Sequence, residues 1–160
     1  MKIITINLNG VRAAARKDFF GWLPKQRADV ICFQEVRAKV DQIPKEALAL
    51  NGYHQYWHPA EKPGYSGVAL WSKKEPESIS KESGSKLMDH EGRYIHARVD
   101  GYDIVSVYLP SGSSSDERQE IKMSVLDEFM KKIKKLQKKS KKLVICGDFN
   151  IAHTLSLIHI

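Results

Sequence analysis

The sequence predicts an α/β layered protein, and three observations carry that expectation. Short apolar segments with strand character alternate with segments of helical periodicity along the chain. Asp100 and Gly101 lie between two such strands, where an Asp-Gly pair marks a tight hairpin. Antiparallel pairing therefore mixes with helical crossovers, and the sheet is expected to be mixed rather than purely parallel. No repeat, linker or low-complexity boundary divides the 160 residues, and 42% hydrophobic with 28% charged residues suits one globular domain.

Residues 2 to 8 (KIITINL) alternate, with Ile4, Ile6 and Leu8 on one face and Thr5 and Asn7 on the other, as in a strand. Asn9 and Gly10 supply a turn, and residues 11 to 27 have helical character up to about Pro24. Residues 29 to 34 (DVICFQ) form a second short apolar strand that ends at Glu35, and a weaker helix is expected over 41 to 50. Further strands are expected at 67 to 72, 93 to 99, 102 to 109 and 143 to 149. Ile121, Val125, Phe129, Ile133 and Leu136 recur at helical spacing, so residues 116 to 138 read as an amphipathic helix.

The formal charge of +7 arises from one place. Residues 131 to 142 (KKIKKLQKKSKK) hold eight lysines and no acid, and outside them 18 basic residues face 19 acidic ones. The run fits the solvent face of the long helix, where lysines near the C-terminus complement the helix dipole. Direct contact with phosphate is the competing reading. No stretch approaches the roughly 20 apolar residues that cross a bilayer. The N-terminal MKIITINLNG reaches Asn and Gly before a secretory core could form. A soluble, cytoplasmic protein without a membrane partner is expected.

Cys32 and Cys146 lie inside the apolar runs DVICF and LVICGDF, where a thiol serves as a small buried hydrophobe rather than half of a bridge, as suits a reducing cytosol. No Cys/His cluster has zinc spacing, so a metal would be held by oxygen, which points to Mg2+ or Mn2+. The polar groups that need explaining sit at strand ends: Asn7, Glu35, Tyr108, Asp148 and Asn150. Asp148 and Asn150, two apart, share a face if the strand continues, and could hold and orient a water. The alternative is an Asx turn. Glu35, helped by Asn7, could hold a hard cation; the alternative for each is a hydrogen-bonded loop anchor.

Taken in order, Asn7-x-Asn9-Gly10-x-Arg12-Ala13, Gln34-Glu35, Tyr65-Ser66-Gly67-Val68, Glu91-Gly92-Arg93, Tyr108-Leu109-Pro110 and the run Gly147 to His153 resemble the exonuclease III family of DNA-repair nucleases and abasic-site endonucleases, within the endonuclease/exonuclease/phosphatase superfamily. The resemblance implies a DNase I-like fold, a four-layer α/β/β/α sandwich of two facing mixed sheets. It also implies a metal-dependent DNA phosphodiester hydrolase, a 3'-5' exonuclease and abasic-site endonuclease of base excision repair. Its partner would be double-stranded DNA with abasic sites or 3' ends. Glu35, with Asn7, would bind Mg2+ or Mn2+; Asp148 would align or deprotonate the attacking water, and Asn150 would orient it or the phosphate. Tyr108 would donate a hydrogen bond to the scissile phosphate or the departing oxygen. Arg12 and Arg93 would contact DNA, or act as structural ion-pair partners. Tyr65 and Trp71 are read as core aromatics.

The match covers roughly the first 60% of such a domain. Residues 1 to 153 read as its N-terminal portion, and residues 154 to 160 as an atypical tail. If each half of the domain supplied much of one sheet, one apolar sheet face would lie bare, and the chain would aggregate or stay partly molten, with activity absent or impaired. Two other functions stay open: a phosphoesterase acting on an inositol phosphate or a sphingolipid headgroup, and a non-catalytic fragment that grips nucleic acid by its lysines.

Overall fold

The computed structural model describes residues 1 to 112 and 115 to 151. The expected tail lies outside them. Two four-stranded mixed sheets face one another. The first has the order β1 (Ile3–Asn7), β2 (Val30–Gln34), β4 (Val68–Ser72), β3 (His54–His58). The second has the order β5 (Ser78–Ser80), β6 (Tyr94–Val99), β7 (Tyr102–Tyr108), β8 (Leu143–Asp148). Only β1 with β2 and β7 with β8 pair in parallel. Each parallel pair needs a crossover, which helices provide.

Strands β2 and β4 are buried along their whole length, which is why VICFQ and VALWS read as unbroken apolar runs. Asp100 (φ 54°) and Gly101 (φ 73°) both take positive φ and close the β6–β7 hairpin, as its sequence predicts. Between the sheets, Val30, Cys32, Val68 and Leu70 pack on Ile95, Ala97, Val99 and Ile104. Outside the first sheet, Val11, Phe20 and Leu23 cover Phe33 and Trp71. Outside the second, Val125, Phe129 and Ile133 of α5 (Asp116–Lys139), with Met88 of α4 (Lys86–His90), cover Tyr94, Val105 and Val107.

These are the four layers the resemblance implies. The expectation of a bare sheet face is overturned, because the 160-residue chain builds both sheets and seals their shared interior itself. At one flank the half-exposed strands β1 and β8 lie side by side, and the outer strands β3 and β5 are partly exposed as well.

The helical stretch expected over 11 to 27 is three short pieces: α1 (Val11–Arg16), α2 (Phe19–Trp22) and a 3-10 turn (Leu23–Gln26). Asp18 takes a left-handed conformation, φ 55°, which breaks the run before Pro24 is reached. Pro44 divides the helix expected over 41 to 50 into a 3-10 turn (Val40–Gln42) and α3 (Lys45–Leu48). The long helix emerges as expected. Ser115 caps it by accepting from the Arg118 amide, 3.2 Å, and its lysine run is exposed except for Lys132, which rests over the Tyr94 ring. No helix among the described residues is long and apolar enough to cross a membrane.

Candidate active site

Four strands end together. The C-terminal ends of β1, β2, β7 and β8 carry Asn7, Glu35, Tyr108 and Asp148, and the crevice beyond such ends is where open α/β sheets place their chemistry. The loops that follow are clipped to each other through the backbone. Gly10 N–H donates to Glu35 C=O (2.8 Å), Val36 N–H to Gly67 C=O (3.0 Å) and Arg37 N–H to Ser66 C=O (2.8 Å). Asn9, Glu35, Arg37, Ser66 and Asn150 all hold positive φ between 43° and 53°. Non-glycine residues in that region cost about 1–3 kcal/mol each and persist where the surroundings over-determine them.

Asn7 is the central connection. Its Nδ2 donates to Glu35 Oε1 (2.8 Å) and to Asp148 Oδ2 (2.9 Å), so one amide joins two carboxylates across the two sheets. Its Oδ1 accepts from Asn9 N–H, 3.0 Å. Glu35 is nearly buried, and its Oε2 pairs with the half-exposed Arg37 guanidinium while accepting no well-formed hydrogen bond. A nearly buried carboxylate paired with a half-exposed guanidinium, beside a second carboxylate and an amide, presents oxygen donors of the kind that suit a hard cation. Among the described residues no group of three His, Cys, Asp or Glu comes together, so a richer all-protein cage is absent there.

The Tyr108 hydroxyl reaches toward Glu35. Burial, then the Glu35 charge and hydrogen bond, hold it above the ordinary phenol range, so it stays a proton donor at neutral pH. Asp148 Oδ1 accepts from Asn150 N–H (3.0 Å), which is the Asx turn expected as an alternative; it coexists with the Asn7 contact on the other oxygen. The extended conformation stops at Asp148, so Asn150 does not continue its face. Instead Asn150 Nδ2 donates to Leu109 C=O (2.8 Å), tying the loops after β7 and β8 together. Gly147 is needed for this approach, since a Cβ there would enter the Val107 carbonyl on the neighbouring strand.

Of the two arginines, the structure leaves one open. Arg12 is exposed and lines a cleft of about 280 Å³ with Asn9, Arg16 and Arg37. Arg93 is only 2% exposed. It donates to Glu91 (2.6 Å), to Tyr108 C=O (3.0 Å) and to the Tyr65 hydroxyl (2.9 Å), and its guanidinium lies 4.6 Å from the Tyr108 ring centroid. That is the ion-pair alternative: Arg93 seats Tyr108 and does not face solvent. Tyr65 is half-buried against Arg93, and Trp71 is a core residue as expected. Arg37 and Lys122, which donates to Asn150 C=O (2.6 Å), were not legible as site residues, because no sequence spacing links them to it.

Two facing mixed sheets under helical layers, with paired carboxylates at the strand ends, define a class of protein. The chain belongs to the Endonuclease/Exonuclease/phosphatase family, whose profile matches residues 4 to 159. It is 38% identical over 154 residues to an exodeoxyribonuclease of Bacillus subtilis, covering 96% of this chain and 60% of that protein. A DNA repair nuclease of Danio rerio is 34% identical over 96% of this chain and 50% of its own length. Among solved structures, an AP endonuclease from Archaeoglobus fulgidus superposes with TM-score 0.80 at 30% identity, over 95% of this chain and 58% of that one. A 3' phosphatase from Neisseria bound to a product DNA hairpin gives 0.81 at 26%, over 97% and 60%. The chain thus spans half to three-fifths of the length of these proteins.

Proposed function

We propose that this chain carries the metal and water-positioning half of a DNA phosphodiester hydrolase of exodeoxyribonuclease III type, acting on abasic sites and 3' ends of duplex DNA in base excision repair. The observation that carries the reading is the Asn7 amide, which hydrogen-bonds both the Glu35 and the Asp148 carboxylates and so joins them across the two sheets. Phosphodiester hydrolysis needs a cation, a directed water and donors to phosphate oxygens, and no covalent nucleophile. Bound Mg2+ or Mn2+ would supply charge neutralisation at the phosphate.

Glu35 would hold that cation, in place of its ion pair with the half-exposed Arg37, with Asn7 alongside. Asp148, fixed at both oxygens, aligns the attacking water and accepts its proton. Tyr108, kept protonated by burial and by Glu35, donates to a phosphate or leaving oxygen, and Arg93 holds its ring in place. Asn150 acts by tying the loops on which Tyr108 and Asp148 stand. Arg12, with Arg16 and Arg37, offers charge for the DNA backbone.

The test is cleavage of a labelled duplex with one abasic-site analogue, in Mg2+ or EDTA, by this chain and by Asp148→Asn. Metal-dependent cutting that disappears in the variant is the expected result. Cutting that persists in EDTA would refute the metal requirement. Mn2+ binding followed by electron paramagnetic resonance reads the metal assignment without activity: Glu35→Gln should weaken it about tenfold or more. Equal binding by the variant would remove Glu35 from the site.

A further inference from the structure

Three guanidinium groups meet in a cleft beside the candidate active site, and only one of them has an acidic partner. Arg12 and Arg16, one turn apart on α1, line this space of about 280 Å³ together with Asn9, Gly10 and Arg37. No carboxylate is among the described residues that line it. Arg12 and Arg16 are exposed, and neither has an ion pair among the described residues. Arg37 alone reaches both ways: it lines the same cleft, and it pairs with Glu35 Oε2. Its backbone is anchored, because its N–H donates to Ser66 C=O (2.8 Å), and a Cβ on Gly10 would lie 4.0 Å from its Cδ. The Arg37 stem therefore runs beside the cleft while its guanidinium is held by the carboxylate.

We propose that Arg37 couples the two halves of the site: it leaves Glu35 when a divalent cation binds there, and completes with Arg12 and Arg16 a clamp for one backbone phosphate of duplex DNA. The inference rests on the reading of Glu35 as the cation's ligand. In the resting pair the Glu35 charge cancels that of Arg37, so the cleft presents two uncompensated guanidiniums. The Arg37 side chain is 44% exposed, and an ion pair that open to water contributes little net attraction, so a doubly charged cation can replace it. Once Glu35 is taken, Arg37 needs another anion, and the cleft it already lines is where one would be held. Three planar forks can then grip the non-bridging phosphate oxygens.

The coupling runs both ways by linkage. If the cation tightens phosphate binding, bound phosphate draws Arg37 off Glu35 and tightens cation binding by the same factor. The free chain then holds its cation weakly and loads it on DNA. A reversal of sign follows for one substitution. Glu35→Gln removes the competitor for Arg37, so this variant, poor in cation binding, should grip duplex DNA without a cation. A pair that served only to brace the loop predicts the opposite, because its loss would loosen Arg37 and weaken the cleft.

The test reads binding without turnover. The whole chain and its variants are titrated with a fluorescent duplex of phosphorothioate linkages, in Mg2+ or in EDTA at constant ionic strength, and followed by anisotropy. The ratio of affinity in Mg2+ to that in EDTA should be about fivefold or more greater in the parent than in Arg37→Met, a comparison that cancels the competition of Mg2+ for the DNA itself. In EDTA, Glu35→Gln should bind the duplex about threefold or more tighter than the parent. Glu35→Gln combined with Arg37→Met should lose that gain, which separates a released guanidinium from the mere removal of a negative charge. Without DNA, Arg37→Met should tighten Mn2+ binding, read by electron paramagnetic resonance, by about threefold or more, whereas Arg12→Met should leave it within about twofold. Equal Mg2+ ratios in the parent and Arg37→Met, or a Glu35→Gln variant that binds duplex in EDTA no better than the parent, would overturn the proposal. Mn2+ binding unchanged in Glu35→Gln would remove the cation reading and this exchange together. Mn2+ binding weakened in Glu35→Gln but unmoved in Arg37→Met would strike the exchange alone.

Discussion

The two ends of the sandwich contrast in how they use charge. Strands β1, β2, β7 and β8 finish at one end, where Glu35 is buried, Tyr108 and Asp148 are half-buried, and the exposed Asn7 joins the two carboxylates by hydrogen bonds. Helix α5 runs back from the end of β7 to the start of β8, so its lysine run lies at the opposite end, on exposed side chains. The net positive charge of the molecule is thus concentrated far from its most elaborate polar network. Charge density located neither the carboxylates nor the tyrosine; strand ends did.

The sharpest way to break this contrast is to change one end and read the other. Asp148→Asn or Glu35→Gln should lower abasic-site cleavage by roughly 10²–10⁴-fold. Replacing all eight lysines of residues 131 to 142 with glutamine should leave the rate at saturating DNA within about twofold, while flattening the salt dependence of binding. If the lysine variant lost the rate as well, the separation of the ends would be wrong.

Removing the guanidinium that seats Tyr108 comes next in size. Arg93→Met strands Glu91 and the Tyr65 and Tyr108 contacts, and a broken buried ion pair costs about 3–5 kcal/mol, read as a lower urea midpoint. The Glu91 side chain is 27% exposed, so the lower part of that range is expected. A variant as stable as the parent would return Arg93 to the role of a surface contact.

The smallest effect concerns pH. His58, at the site end of β3, donates from Nδ1 to the Tyr94 carbonyl, 2.6 Å, and burial holds it below its ordinary range. The unfolded chain therefore takes up a proton before the folded one. His58 contributes stability that is complete above the unfolded imidazole value of about 6.5 and is lost as pH falls through the lower folded value. Thermal midpoints measured from pH 8 to 5 should decline over that window, and His58→Gln should make the decline shallower. An unchanged slope would place the pH sensitivity elsewhere.

How much of this was legible in the sequence depended on what each residue type reports. Apolar runs reported β2, β4, β6, β7 and β8 within a residue or two at either end, and the Asp-Gly turn reported the hairpin. Strand β3, His54–His58, was missed because HQYWH mixes polar and aromatic residues on an edge that is only partly buried. Strand β5 and helix α4 are too short to show a period. The candidate site was legible as a set of strand-end residues, but not as a network. That Asn7 would present its NH2 to both carboxylates, that Asn150 would turn to Leu109, and that Arg93 would be interior are matters of loop geometry. Both sheets coming from this one chain was likewise hidden, because strand order in space is set by crossovers and not by spacing.

The Asp100–Gly101 turn has a consequence in time. Two strands joined by two residues meet within roughly 1–10 μs, whereas pairs separated by helical crossovers must first close long loops. The β6–β7 hairpin is therefore expected to be the earliest sheet in the folding order, and the template on which β8 and then the facing sheet condense. Gly101→Val, which burdens a φ of 73° with a branched side chain, should slow refolding more than it speeds unfolding. If it acted only on the unfolding rate, the sandwich would nucleate elsewhere, and the hairpin would be the clasp that closes it last.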